Sequence, residues 1–156
     1  MTSKQSVYGL LAAIAGLLTH PAASATDPES VVQAQLAAYN ARDLNAFLAT
    51  YSEDAQLFEH PSKLLANGVA QMRERYAVRF AEPNLHAIVL NRMVMGNFVI
   101  DHERVTRTFP EGPGTQDAIA IYEVQGTLIS RVWFVFGAKT VEAHRGASDG
   151  QRTGGT

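Results

Sequence analysis

The sequence of 156 residues contains no cysteine and no marked excess of charge of either sign. The lack of cysteine excludes disulfide frameworks, cysteine-ligated zinc and thiol nucleophiles. Thirteen Lys and Arg residues oppose fifteen Asp and Glu residues, so the charge balance argues against nucleic acid as a partner. No apolar run reaches the roughly 18 residues that a membrane helix needs. One small globular domain remains, whose function must be argued from a pocket.

The first 25 residues have the pattern of a secretory signal peptide. Lys4 supplies a positive charge, Val7–Leu18 is an apolar run of signal-core length, and Ala23–Ala25 fits the small-x-small cleavage pattern. We therefore predict cleavage after Ala25 and a periplasmic or secreted mature protein with no membrane segment. The alternative left open is a cytoplasmic protein. In that case the translation start is assigned too early, or these residues form a loose N-terminal helix.

The order of the remaining segments predicts helices first and an antiparallel sheet afterwards. Capping residues and apolar spacing predict helices ending near Ala41, Tyr51 and Phe80, the third of which begins at Gly68. A short strand over Ala55–Glu59 is followed by a loop over 63–67. Two hairpins follow, each built around a tight turn. The first pairs strands 86–95 and 98–108, and the second pairs strands 117–124 and 128–136. A Gly/Pro loop over 110–116 separates the two hairpins. We expect a domain over residues 26–140 and a disordered tail over 141–156.

Several local strings carry a resemblance to a known superfamily. They are the runs 40–44 (NARDL), 51–55 (YSEDA), 68–76 (GVAQMRERY) and 136–139 (FGAK). Together with the segment order, they resemble the nuclear transport factor 2-like superfamily, which includes ketosteroid isomerases and SnoaL-like polyketide cyclases. The resemblance implies an α+β fold in which three N-terminal helices pack on a curved antiparallel sheet, forming a cone with an apolar pocket, and chemistry that needs no cofactor.

The isomerase pattern fails at its catalytic positions. The tyrosine that donates to the substrate oxyanion corresponds to Gln35, the catalytic carboxylate corresponds to His60, and the second oxyanion donor falls near Ala120. Two supporting tyrosines correspond to Tyr51 and Tyr76. Because the loss of such donors costs orders of magnitude in rate, the resemblance does not imply a steroid isomerase.

His60 is the first catalytic candidate, because an imidazole exchanges protons near neutral pH. It ends the short strand beside Pro61, and Glu59 takes its place if the register differs by one residue. The substrate-binding candidates come from the helices and the later strands: Gln35, Tyr51, Tyr76, Arg104, Tyr122, Phe134 and Phe136.

The strand 98–108 contains an unusual run of polar residues, and alternation divides it between two faces. The resemblance places His102 and Arg104 in the pocket, where His102 is a second catalytic candidate and both form a polar wall for a carbonyl or carboxylate. The open alternative is a salt-bridged outer face. On the same register Asp101 lies opposite Arg92, and we expect this pair on the outer face.

The last hairpin is aromatic. A three-residue loop points Tyr122, Phe134 and Phe136 into the cone and leaves Trp133 outside, whereas a two-residue loop turns Trp133 inward. Either register leaves an aromatic side chain on the outer face, which favours a homodimer formed through the sheet.

Two further sets of residues predict no site. The arginines of the third helix are balanced by Glu74 and Glu82, which is typical of a solvated face. The histidines share no helical spacing, so no metal site is expected.

The sequence therefore predicts a SnoaL-like pocket protein. We expect it to bind or convert a small apolar molecule with a carbonyl or hydroxyl group, by isomerase-, cyclase- or dehydratase-like acid–base chemistry. The alternative is a non-catalytic ligand-binding or dimerisation module.

Overall fold

The structure, a computed structural model, describes residues 27–142. The predicted signal peptide and all of the predicted tail beyond residue 142 lie outside these residues. The helices are α1 (Pro28–Ala41), α2 (Leu44–Leu48) and α3 (Gly68–Phe80). The strands are β1 (Tyr51–Glu59), β2 (Lys63–Asn67), β3 (His86–Met95), β4 (Phe98–Phe109), β5 (Gly112–Gln125) and β6 (Leu128–Val141). Within the described range, no helix has the length and apolarity to cross a membrane.

The six strands form one curved, open sheet in the order β2-β1-β6-β5-β4-β3. The helices cover one face of it, which confirms the α+β class. The β1–β6 pair is parallel and the other pairs are antiparallel, so the expectation of a wholly antiparallel sheet is wrong at one junction. The third helix follows two strands, and the cone implied by the resemblance stays a prediction.

Side-chain caps fix where the first two helices begin. The Asp27 carboxylate accepts from the Glu29 amide, and the Asp43 carboxylate accepts from the Ala46 amide. Arg42 adopts a left-handed conformation with φ of 57°, which ends α1. The helix α2 is shorter than expected because Tyr51 already pairs with Ile129 in the sheet.

Two segments expected to be loops are strands. Residues 63–67 form β2, whose pairing with β1 satisfies backbone groups that a loop would leave to water. The Gly/Pro segment is a turn over residues 110–111 and the start of β5 from Gly112, because Phe109 pairs directly with Gly112. Gly114 allows β5 and β6 to approach closely, since a Cβ there would lie 2.3 Å from the Thr140 carbonyl oxygen. Local composition predicted loops, but pairing in the sheet overrode it.

The first hairpin has the expected register near its turn. Met95 pairs with Phe98, and Arg92 pairs with Asp101. An irregularity between Val89 and Asn91 shifts the far end, so that His86 lies opposite Thr106.

The second hairpin combines a two-residue turn with an irregularity between Glu123 and Val124. The irregularity shifts the pairing by one residue, as a three-residue loop would have done. Tyr122 therefore pairs with Val132, and both are buried. Trp133 therefore lies on the outer face, where it stacks on Phe58 with ring centroids 6.1 Å apart.

The face of β4 that was expected to line the pocket is the outer face. Asp101 and Glu103 are buried towards the helices, whereas Arg104 is exposed and His102 is half-buried on the opposite side. The predicted orientation is wrong because Val99 lies on the same face of β4 as Asp101 and Glu103 and is fully buried. The burial of Val99 places this face against the helices.

An aromatic cluster joins the three helices. Tyr39 of α1 lies 5.4 Å from Phe80, and Phe47 of α2 lies 4.5 Å from Tyr76, measured between ring centroids. Asn40 also accepts from the Ala87 amide and donates to the Ala87 carbonyl, both at 2.8 Å, which fastens α1 to β3. These contacts hold the helical layer at a fixed distance from the sheet.

The Arg92–Asp101 pair lies under α1 rather than on the outer face, which corrects the expected location. Two hydrogen bonds of 2.7 Å join the guanidinium to the carboxylate, and Asp101 is 0% exposed. Arg92 also donates to Gln33 of α1. The pair neutralises a charge that the apolar interior would otherwise reject.

We predict that Arg92→Met lowers the free energy of unfolding by about 3 kcal/mol, because it leaves a buried carboxylate without its cation. Urea unfolding at neutral pH measures this change. The matched control is Lys63→Met, which removes an exposed ion pair with Glu59 and should cost less than about 1 kcal/mol. Similar losses in the two variants would contradict a stabilising role for the buried pair.

Candidate functional site

A narrow cavity of about 50 Å³ lies between α1, α3 and the inner face of the sheet. Its polar lining consists of Gln35, Tyr39, Tyr76, Glu103 and Tyr122, with Arg75 and Arg79 also contributing. Its apolar lining consists of Leu36, Ala87, Val105, Ala118, Phe134 and Phe136. The cavity therefore combines an apolar wall with a few polar groups, as small-molecule sites commonly do.

Glu103 is the buried acid of this cavity. It lies opposite Ala118 on β5, is 7% exposed, and accepts a hydrogen bond of 2.9 Å from the Tyr122 hydroxyl. Burial raises the pKa of Glu103 to about 7; the nearby Asp101 adds to the shift, while the Tyr122 hydrogen bond and Arg92 oppose it. The carboxyl group can therefore both give and take a proton near neutral pH.

Gln35 presents an amide oxygen to the same region. Its amide nitrogen donates to the Tyr51 hydroxyl at 3.1 Å. Its buried Oε1 has no hydrogen-bond partner among residues 27–142. A buried acceptor without a partner is costly, so this oxygen is suited to a ligand hydroxyl.

The tyrosines around the cavity are neutral hydrogen-bonding groups. Burial raises the pKa of Tyr76 to about 12 and raises the pKa values of Tyr51 and Tyr122 well above 10. Burial also raises the pKa of Tyr39, against an opposing effect of Arg79. Their hydroxyl groups stay protonated at any ordinary pH and can donate to an oxygen that gains negative charge.

Most of the substrate-binding candidates do line the cavity. Gln35, Tyr76, Tyr122, Phe134 and Phe136 contribute to its walls. Tyr51 lies behind Gln35 and contacts the cavity through that residue's amide.

The two catalytic candidates and Arg104 lie elsewhere. His60 is exposed in the turn after β1 and lines no part of the cavity. Its neighbour Glu59 lines a surface depression that adjoins the cavity, and it pairs with Lys63 at 3.0 Å. Arg104 and His102 approach Asp117 on the outer face, at 2.7 Å and 3.7 Å. This salt-bridged outer face is the alternative that alternation left open.

Sequence reasoning missed Glu103 and the arginines of α3. The available signal for Glu103 was its alternation with Val99 and Val105, because valine is more often buried than exposed in a folded protein. Arg75 and Arg79 gave no comparable signal, because only the packing of α3 on the sheet shows that they reach the cavity.

Comparison with protein families identifies the chain. The model of the SnoaL-like domain matches residues 32–132. The chain belongs to the SnoaL-like family. The match includes α1 from its second turn and all residues of the cavity up to Tyr122, and ends just before Phe134. The comparison with curated proteins found no relative of this SnoaL-like protein.

Solved structures have the same fold. An uncharacterized cystatin-fold protein from Novosphingobium aromaticivorans is 27% identical with a TM-score of 0.64, over 69% of this chain and 97% of that one. AclR from Streptomyces galilaeus, a proposed hydroxylase, is 18% identical with a TM-score of 0.62, over 73% and 77%. A proposed polyketide cyclase from Sinorhizobium meliloti is 21% identical with a TM-score of 0.56, over 67% and 93%. At such low identity the last two support the fold alone.

We predict that Glu103 makes the protein less stable as pH rises. Its folded-state pKa of about 7 exceeds its ordinary value of 4.5, so the folded state binds the proton more tightly and loses stability as that proton leaves. Glu103→Gln removes this effect. The stability of the variant relative to the parent should therefore be about 2 kcal/mol greater at about pH 8 than at about pH 5.

Urea unfolding at the two pH values measures this difference. Glu111→Gln is the matched control, because it removes one negative charge at an exposed position. A relative stability of Glu103→Gln that does not change with pH would contradict the assignment.

Proposed function

We propose that this SnoaL-like protein converts a small apolar molecule with a carbonyl or hydroxyl group by acid–base chemistry at Glu103. The observation that carries the proposal is a buried carboxyl group in an aromatic-lined cavity, with a pKa of about 7. A general acid or base is most effective when its pKa lies near the working pH. Family membership and the structural neighbours fit a protein that converts a small molecule in a pocket.

In this proposal the apolar body of the substrate packs against Phe134 and Phe136. The Glu103 carboxylate removes a proton from a carbon next to the carbonyl and returns it to another atom of the same molecule. Isomerisation, cyclisation and dehydration all include such a transfer. The Tyr76 hydroxyl, neutral at the working pH, is suited to stabilise the oxyanion that forms when the proton leaves.

We predict that Glu103→Gln slows proton abstraction by at least about 100-fold, because the amide cannot accept the proton. The measurement is exchange of the α-hydrogens of a panel of cyclic and aryl ketones in deuterated water, followed by proton NMR. The parent rate should rise with pH through about 7, as Glu103 loses its proton.

His102→Gln is the matched control, since its side chain lies on the outer face and should leave the exchange rate unchanged. Exchange by Glu103→Gln at the parent rate would refute the role of Glu103. Ketones that bind without exchange would favour the other function, a non-catalytic ligand-binding module.

We also propose that the outer face of the sheet binds a second copy of the chain. Its apolar side chains include Met93 and Val135, which are 55% and 41% exposed, together with half-buried Ile100, Ile121 and Trp133. Its charges occur as matched pairs, Arg104 with Asp117 and Arg131 with Glu123. Because these charges are already paired within one copy, two such faces can approach each other without a net repulsion between charges of one sign, and a two-fold interface brings the same face of both copies together.

We predict that Val135→Glu weakens the dimer at least about 100-fold, because a two-fold interface would then bury two like charges. Sedimentation equilibrium measures the dissociation constant. Val78→Glu, at a 78% exposed position on α3, is the control for an added surface charge. A parent protein that stays monomeric, or equal dissociation constants for the two variants, would contradict this interface.

A further inference from the structure

Four cations surround a depression of about 260 Å³ at the surface of the protein, and this depression adjoins the cavity. Arg75 and Arg79 come from α3, Arg107 from β4 and Lys139 from β6. We refer to these four residues as the cationic mouth. Arg75, Arg79, Val105, Ala118 and Phe136 line both the cavity and the depression, so the two form one continuous space.

The cationic mouth has no carboxylate partner in the described part of the chain. No Asp or Glu oxygen within residues 27–142 lies within 4.0 Å of its four charged groups. Two acids are close to these cations. Glu59 lines the same depression and pairs with Lys63, and Glu82 accepts from the Thr108 amide while its charge opposes the lowering of the Arg107 pKa. Elsewhere in the described residues Arg92, Arg104 and Arg131 each pair with an acid, whereas Arg42 donates to backbone carbonyls and Arg73 to Asn45. The cationic mouth is distinguished because four such cations lie together at one opening.

An aromatic ring holds two of these cations in place. The Arg107 guanidinium lies 4.5 Å from the centroid of Phe109, and the Lys139 ammonium lies 5.1 Å from the same centroid. The ring face attracts both cations, although they repel each other. Partial burial, together with the charge of Arg79, lowers the pKa of Arg107. The fold thus gathers like charges at one opening, where an anion would relieve their repulsion.

The strand β4 sets the distance from the mouth to the acid. Glu103, Val105 and Arg107 alternate onto the same face, and each step of two residues advances about 7 Å along a strand. The backbone positions of Glu103 and Arg107 are therefore about 14 Å apart. Val105, Ala118 and Phe136 line the space between the two groups, which leaves an apolar surface for the body of a small molecule.

We propose that the cationic mouth binds a carboxylate carried by the substrate, while the apolar body of that substrate extends inward to Glu103. This inference rests on the proposed function, because it names the class of substrate for the same site. Arg79 and Arg107 supply planar guanidinium groups, which bind carboxylates through two parallel hydrogen bonds. The substrate is therefore an amphipathic acid with its reactive carbon remote from the carboxylate.

Isothermal titration calorimetry with matched acids and amides tests this proposal on the full chain. The probes are phenylpropanoate, phenylbutanoate and phenylpentanoate, each compared with its primary amide. At least one acid should bind the parent protein about tenfold or more tightly than its amide, because only the acid pairs with the arginines. Raising the salt concentration should reduce this preference.

Two variants locate the preference at the mouth. The double change Arg79→Gln with Arg107→Gln should abolish the preference for the acid over its amide. Arg79→Lys with Arg107→Lys keeps both charges and should retain most of the preference, which separates lost charge from lost folding. Arg73→Gln is the matched control, because Arg73 is exposed on the same helix and donates to Asn45 instead.

Three results would overturn the proposal. They are equal affinity for every acid and its amide, a preference that survives the double Gln change, and failure of all the acids to bind. Displacement of a bound acid by an equal concentration of inorganic phosphate would also overturn it, since the mouth would then recognise a free anion without an apolar body.

Glu103→Gln distinguishes this proposal from the proposed function. The variant should keep the preference for the acid while losing α-hydrogen exchange. Retained exchange with a retained preference would refute the catalytic role and leave the carboxylate site standing. Lost exchange with no preference in either protein would refute the carboxylate site alone.

Discussion

The character of this SnoaL-like protein depends on two carboxylates that β4 places on the same buried face. Asp101 is paired with Arg92 through two hydrogen bonds of 2.7 Å, so its charge is compensated where it is buried. Glu103, two residues further along, has the Tyr122 hydroxyl as its one side-chain hydrogen-bond partner among residues 27–142. Burial raises the pKa of Glu103 to about 7, and no cation of the described residues forms an ion pair with it to offset this shift. One acid stabilises the fold, and the other is left able to exchange a proton.

The space around Glu103 depends on small residues opposite the acids and on a helical layer that cannot collapse onto them. Ala118 pairs with Glu103 and Ala120 pairs with Asp101, so the neighbouring strand leaves room on the inner face. The aromatic contacts among α1, α2 and α3, together with the Asn40 clamp on Ala87, hold the helices in position. The cavity is a consequence of this spacing, because rigidly packed helices cannot settle into the gap that the alanines leave.

The charges are distributed unevenly between the opening and the interior of the cavity. The chain carries a formal charge of −2, yet four cations gather at the outer opening while a single acid of raised pKa lies inside. Composition alone gave no reason to expect a positive surface anywhere. The polarity arises because α3, β4 and β6 each bring cations to the same end of the sheet, although these segments are far apart in the chain. In the two proposals, a molecule entering this space meets first the cations that bind its carboxylate and then the acid that exchanges a proton.

The sequence by itself determined that three helices form, the tight turn between Met95 and Phe98, and the family, because caps, apolar spacing and turn residues act over a few positions. It also identified five of the residues that line the cavity. Tertiary structure alone decided which face of β4 is inside, that residues 63–67 pair as a strand, and that Arg75 and Arg79 reach the cavity. Alternation separates the two faces of a strand without saying which one a helix covers. That choice is made by packing between distant segments, which placed Glu103 in the cavity and His102 and Arg104 outside it.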